Sequence, residues 1–332
     1  MQTVSEEISP EVVGAELLRM SDAETALQLS TEQVQSFLNA ARSKNTTRGY
    51  RSAFGQFSAW CGACRWSPLP ASPETIVRYI SAQAGRLKAT TLAHHLFAIA
   101  KAHRDAGFPS PVRDNQLIAE ALKGIKRTYG SAIAQKSPVL TDDLRAMLRY
   151  IPDTLQGLRD RALLTMGFLG AFRRSELVAL DAADVQFTPE GLLITLRRSK
   201  TDQLGEGRKI AIPHGKHETT DAVRALQMWL SASGITEGPI FRQVRAKRVY
   251  AEQLTAQVVA LLVKKYIRLA SMNDANFSGH SLRAGFVTSA ARNNVPERVI
   301  MKQTGHKSVE MVLRYVRNAN AFTENACLSL GL

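Results

Sequence analysis

Residues 305–315 read GHKSVEMVLRY, and residues 278–283 read SGHSLR. Ser308 is a residue type that caps helices, and after it Val309, Val312, Leu313 and Val316 recur at i, i+3, i+4 and i+7. The spacing predicts a helix with one apolar stripe, running to about Asn320. Tyr315 falls well off that stripe, beside Met311, with Arg314 and Arg317 bracketing it in sequence. A phenol so placed can meet a polyanion, or it can be an ordinary tyrosine at the rim of a core. The helix alone does not decide. In SGHSLR, His280 and Arg283 stand three residues apart and so share a helix face.

Two upstream stretches extend the set. GAFRRSEL (170–177) supplies Arg173 and Glu176, and RRSKTDQ (197–203) supplies Lys200 among Arg197, Arg198 and the later Lys209. Together these offer a phenolic nucleophile, guanidiniums to hold a phosphate, imidazoles to move a proton and an amine to protonate a leaving group. Cutting a phosphodiester without a metal calls for that inventory.

Charge points the same way. The net charge is +14 and the sequence pI is near 10.0. Residues 1–39 hold seven acids against Arg19 alone, so −6 there leaves +20 for the remainder. Such a field attracts a polyanion in a salt-dependent way. The apolar fraction of 45% is ordinary for a globular protein, and the sequence has no apolar run long enough to span a bilayer. The N-terminus has no signal-peptide pattern, so the expectation is a cytoplasmic, nucleoid-associated protein without a membrane.

Three cysteines exclude a disulfide scaffold. Cys61 and Cys64 have two residues between them, as in thioredoxin motifs, but such motifs follow a strand and open a helix. Here Tyr50, Phe54, Phe57 and Trp60 precede them at helical spacing, so the pair closes a helix and reads as packing.

The organisation is expected to be mainly helical. Residues 1–30 read as an acidic, mobile arm, 31–130 as an all-α domain, 131–139 as a linker and 140–332 as an α+β domain. Helices are expected near 47–60, after the Ser72 cap and Pro73, from about Ala89, and over 115–129. In the second domain Thr141 is expected to cap a helix over 144–150, and Gly170 to end another over 158–169. A new helix is expected near Ser175. Short runs at 185–187, 192–196 and 209–212, parted by turn signals, predict one small three-stranded antiparallel sheet. Helix is expected from there to the end. Arg48, Arg51, Arg86, Lys88 and Lys101, with Arg314 and Arg317, are candidate DNA contacts.

The order Arg173, Lys200, His280-x-x-Arg283, Gly305-His306, Tyr315 resembles the tyrosine recombinase (phage integrase) family, and within it the Cre-type site-specific recombinases. The likeness spans nearly the whole chain. Residues 47–61 and 88–107 look like that group's core-binding domain, and the rest looks like its catalytic domain. It implies two domains that clamp double-stranded DNA, with a Tyr315 attack that leaves a 3′-phosphotyrosine. Arg173, Arg283 and His306 would hold the phosphate, His280 would take the phenol proton and Lys200 would protonate the 5′-oxygen. Glu176 would support Arg173. No cofactor and no metal are implied. Partners would be DNA with paired inverted repeats and three further copies of the chain, forming a homo-tetramer on DNA from a free monomer and exchanging strands through a Holliday junction. Residues 318–332 would form an oligomerisation helix, docking on a neighbour or on their own domain. A topoisomerase-like relaxing enzyme and a DNA binder without catalysis remain the alternatives.

Overall fold

The computed structural model describes residues 44–130, 136–197 and 207–319, together with Gln33, Val34, Phe37 and Leu330. The expected arm at 1–30, Lys200 and nearly all of the C-terminal segment from residue 320 lie outside the described residues. Two compact units divide between Ile133 and Ala134.

Among the described residues the first unit is built on α1 (Lys44–Ala63), α2 (Pro73–Gln83), α3 (Ala89–Asp105) and α4 (Gln116–Tyr129). Their starts follow from local chemistry. The Ser72 hydroxyl accepts from Thr75 N at 3.2 Å, and Asn115 Oδ1 accepts from Ile118 N at 3.1 Å. Phe57, Ile76, Tyr79, Ile80, Leu92, Ile99 and Ile118 make the core. Each such side chain contributes about 1.5–3 kcal/mol on burial. Polar groups within this core are satisfied. The Tyr79 hydroxyl bonds His95 Nδ1 at 2.8 Å, and His103 Nε2 accepts from Ala71 N at 2.9 Å. Cys61 is buried at the end of α1, where burial pushes its thiol pKa up, whereas Cys64 is exposed. The packing reading of the pair therefore describes Cys61 alone.

The second unit is built around α6 (Leu155–Leu169), buried on nearly every side. Before it comes α5 (Thr141–Arg149), and after it the short α7 (Arg174–Val178). The antiparallel sheet then runs β1 (Val185–Thr188), β2 (Gly191–Leu196) and β3 (Arg208–Pro213), in that order. Ile194 of β2 stands opposite Ile210 of β3, and Leu192 opposite Ile212, so one face of the sheet is apolar and buried. Next come α8 (Ala222–Ser233), a hairpin of β4 (Arg242–Arg245) and β5 (Arg248–Gln253), then α9 (Ala256–Leu269), α10 (Ser281–Arg292), α11 (Glu297–Thr304) and α12 (Val309–Ala319). Buried Asp160 knots the core, accepting from Arg159 Nη2 at 2.6 Å and from the Tyr266 hydroxyl at 2.7 Å.

Three expectations need correction. The β4–β5 hairpin falls where helix alone was expected. Thr141 is the first residue of α5, and the cap comes from Asp143, whose Oδ2 accepts from Leu140 N at 2.8 Å. A carboxylate in a first helical turn also meets the helix dipole. As expected, α6 ends at Gly170, which keeps a right-handed conformation while Ala171 makes the left-handed turn at φ 47°. Gly170 is needed for space, because a Cβ there would lie 2.0 Å from the Phe172 ring. Finally, Val309 is 49% exposed, and among the described side chains of the α12 stripe Val312 is buried and Leu313 partly so.

Candidate active site

Five of the six expected catalytic residues converge in the second unit, and each is held by its own local logic. Arg173 is the residue before α7. Its main-chain N–H donates to Glu176 Oε2 at 2.9 Å and its Nη1 to Glu176 Oε1 at 2.5 Å. Glu176, in the first turn of α7, is buried. One carboxylate thus caps the helix and fixes the arginine.

Arg283 lies in the first turn of α10 and is 2% exposed. Nη1 donates to the Ala171 carbonyl at 2.6 Å and Nη2 to the Thr304 carbonyl at 2.7 Å. The left-handed Ala171 turns its carbonyl to this guanidinium and leads directly into Phe172 and Arg173. The Arg283 pKa is lowered to about 10, first by burial and then by Arg173, while Glu176 opposes the shift. The group stays charged at neutral pH. α10 reaches its place because Gly285 leaves room for the backbone of Val139, where a Cβ would come within 1.7 Å of the Val139 oxygen.

His280 precedes α10, and its Nε2 lies 3.2 Å from the Tyr315 hydroxyl. The ring edge reaches solvent, yet burial among its neighbours depresses the imidazole pKa, and Arg283, Arg173 and Arg174 add to the effect. His306 follows Gly305, which ends α11 in the left-handed conformation at φ 68°. The His306 ring lies over that of Tyr315 with centroids 6.5 Å apart and planes tilted by 23°. Its pKa is pushed down to about 4, first by burial and then by Arg283 and Arg173. Tyr315, half-buried on α12, packs beside the small core of Val287, Ala291, Ile300 and Val312.

The Thr304 hydroxyl lies 2.7 Å from Ile300 O and 2.9 Å from His306 Nδ1. A hydroxyl carries one hydrogen. Spent on Ile300, it leaves Thr304 to accept from His306 Nδ1–H, which directs Nε2 outward. A phosphate beside that ring would offset the arginine charges and favour the imidazolium, whose Nε2–H can then donate.

Lys200 lies outside the described residues, as do the side chains of Arg314 and Arg317. Of the other candidate DNA contacts, Arg48, Arg51, Arg86 and Lys88 are exposed. Lys101 is half-buried and pairs with Asp105 at 2.5 Å, so a carboxylate already offsets its charge. Two cations absent from the sequence expectations stand close to the centre. Arg174 lies across Gly279, where a Cβ would meet its Cδ at 2.1 Å. Arg208, the first residue of β3, donates to Gln303 O at 2.8 Å and lies 3.8 Å from Glu176.

With the geometry set out, comparison with known proteins gives it a context. Residues 138–321 match the profile of the phage integrase family. The chain belongs to that family. A phage integrase relative from Selenomonas ruminantium, named an integrase/recombinase xerD homolog, is 43% identical over 294 residues, covering 87% of this chain and 86% of that one. The recombinase Cre of Escherichia phage P1 is 26% identical over 305 residues, covering 85% of this chain and 87% of its own. Among solved structures, the XerH site-specific recombinase on a palindromic difH substrate, in a post-cleavage complex, superposes with a TM-score of 0.57 at 16% identity, over 78% of this chain and 72% of that one. That last likeness speaks to the fold. As an integrase family member the chain is of a DNA strand-transferring class, mainly helical with one small three-stranded sheet. Among the described residues no helix is long and apolar enough to cross a membrane.

Proposed function

We propose that this chain is a site-specific recombinase that cuts and rejoins double-stranded DNA through a covalent link to Tyr315. The observation that carries the reading is the Tyr315 hydroxyl 3.2 Å from His280 Nε2, with buried Arg283 and half-buried His306 beside them. A phenol has an ordinary pKa of about 10, so attack at neutral pH needs a base. His280, kept neutral by burial and the nearby arginines, is suited to take that proton.

The phenolic oxygen then forms a bond to phosphorus while the bond to the 5′-oxygen breaks. Arg173 and Arg283 hold the non-bridging oxygens, as planar forked donors do well, and oppose the charge that grows there. His306 donates to the same phosphate. Lys200 gives the departing 5′-oxygen its proton. The products are a 3′-phosphotyrosine and a free 5′-hydroxyl, and the bond energy is kept for rejoining. Attack by a 5′-hydroxyl from a second duplex reverses the step. One round of exchange yields a Holliday junction, and a second round resolves it. Two sites with inverted repeats, four chains on DNA and a monomer in free solution complete the proposal, with both units contacting the duplex. Arg48, Arg51, Arg86 and Lys88 would meet its backbone from the first unit.

The test uses a pool of nicked duplexes with a randomised core. The nick lets the short strand diffuse away after cleavage and so traps the adduct. The full chain should retain DNA through denaturation, and the retained DNA should converge on one sequence. A band shift with no denaturation-resistant complex would leave only a DNA-binding protein.

A further inference from the structure

Arg208 has no part in the reaction as written above, yet its surroundings are unusual. Nη1 donates to the Gln303 carbonyl at 2.8 Å. Nη2 is buried, lies 3.8 Å from Glu176 Oε2, and has no hydrogen-bond partner among the described residues. Gln303 returns the contact. Its Nε2 donates to Ala211 O at 3.3 Å, also on β3, and to Leu169 O at 2.9 Å. Two bonds of opposite direction therefore tie the last turn of α11 to β3.

That turn carries the chemistry. Thr304, next in sequence, holds Arg283 with its carbonyl and faces His306 Nδ1 with its hydroxyl. Gly305 then bends the chain, and a Cβ on it would lie 2.9 Å from Arg208 Cζ. The guanidinium thus sits against the peptide unit that leads into His306. Placing a third cation near Arg173 is unfavourable, and burial and Arg173 both pull its pKa down while Glu176 alone counters them. A neutral amide could have supplied one bond to Gln303 without that cost. The arginine is explained if the turn must be packed against at Gly305 as well as hydrogen-bonded at Gln303, and must feel positive charge.

We propose that Arg208 is a positioning residue: it locks the Gln303–His306 turn to β3 and so sets where the His306 ring meets the phosphate. The idea rests on the recombinase reading above, and the experiment separates the two. The measured quantity is the single-turnover rate of adduct formation, on the nicked duplex recovered from the randomised pool, for four full-length chains: parent, Arg208→Met, His306→Gln and the double variant. Arg208→Met should slow the adduct by about ten- to a hundredfold, with DNA affinity unchanged. In the His306→Gln background the same change should cost less than about threefold, because residues acting through one group are not additive.

If Arg208→Met fails to fold by circular dichroism, Arg208→Lys carries the same cycle. It should give a smaller loss, since an ammonium keeps the charge but not the flat guanidinium that lies against Gly305. A wild-type rate for Arg208→Met, or losses that multiply in the double variant, would overturn the positioning role. A parent chain that forms no adduct would overturn the recombinase reading itself.

Discussion

Changing Glu176 to Gln alters the site without changing its shape. The carboxylate accepts from the Arg173 main-chain N–H at 2.9 Å and from its guanidinium at 2.5 Å, and lies 3.8 Å from Arg208. It is buried, so water cannot replace it. A glutamine keeps one acceptor oxygen. Its NH2 must then face either the Arg173 N–H or the guanidinium, donor against donor. A charge-assisted hydrogen bond to a buried group is worth about 1.5–3 kcal/mol, and the buried donor left facing another donor costs about 1 kcal/mol more. The variant should therefore be about 3 kcal/mol less stable, which for a unit of this size lowers its melting temperature by roughly 10 °C. The adduct rate should fall about a hundredfold, because Arg173 is no longer held in place. Saturating DNA should narrow the melting gap, since a phosphodiester returns negative charge to the guanidiniums. Differential scanning fluorimetry with and without the duplex, beside a gel assay of the adduct, gives both readings. A melting shift below ~2 °C with an unchanged adduct rate would refute the assignment of Glu176 as the anchor of Arg173.

Other outcomes follow from the same contacts. His306 titrates near 4 in the folded chain and near its ordinary 6.5 when unfolded, so between those values the unfolded chain binds more protons. Its contribution to stability is whole above pH 6.5 and is lost as pH falls toward 4. Melting at a series of pH values should show a shallower acid decline for His306→Gln than for the parent, and an equal decline would contradict the half-buried, neutral ring. Asp160→Asn should cost about 3–5 kcal/mol in urea unfolding, because it leaves Arg159 charged and buried without its partner. Tyr266→Phe should cost only ~1–2 kcal/mol, and a larger loss than for Asp160→Asn would reverse the ranking of the two contacts. Gly305→Ala adds ~1 kcal/mol of backbone strain at φ 68° and presses on Arg208. It should slow the adduct more than it weakens DNA binding, and equal losses in the two assays would count against that geometry.

Much of this architecture is legible in the sequence where local chemistry decides it. Ser72-Pro73 and Asn115 mark helix starts in the first unit, and the Pro189–Gly191 turn between apolar runs marks the first sheet. The β4–β5 hairpin is not legible for a physical reason. Its turn places Ala246 and Lys247 at φ 46° and 61°, without the Gly or Asn that announces such a turn, and its strands are mostly polar and exposed. Residue order alone suggested the grouping of Arg173, His280, Arg283, His306 and Tyr315. The carbonyls of Ala171 and Thr304 that fix Arg283 could not be foreseen, because main-chain acceptors leave no trace in side-chain identity. Arg208 was hidden likewise. It meets Gln303 across 95 residues, and among so many bases nothing local distinguishes it.

The central claim is a covalent bond between Tyr315 and DNA, and tryptic mass spectrometry of the trapped complex addresses it most directly. The account predicts that the peptide containing Tyr315 carries a nucleotide through a 3′-phosphate, that the released strand ends in a 5′-hydroxyl, and that Tyr315→Phe yields neither while still binding the duplex. A phosphate found on another residue, or an adduct that survives Tyr315→Phe, would contradict it.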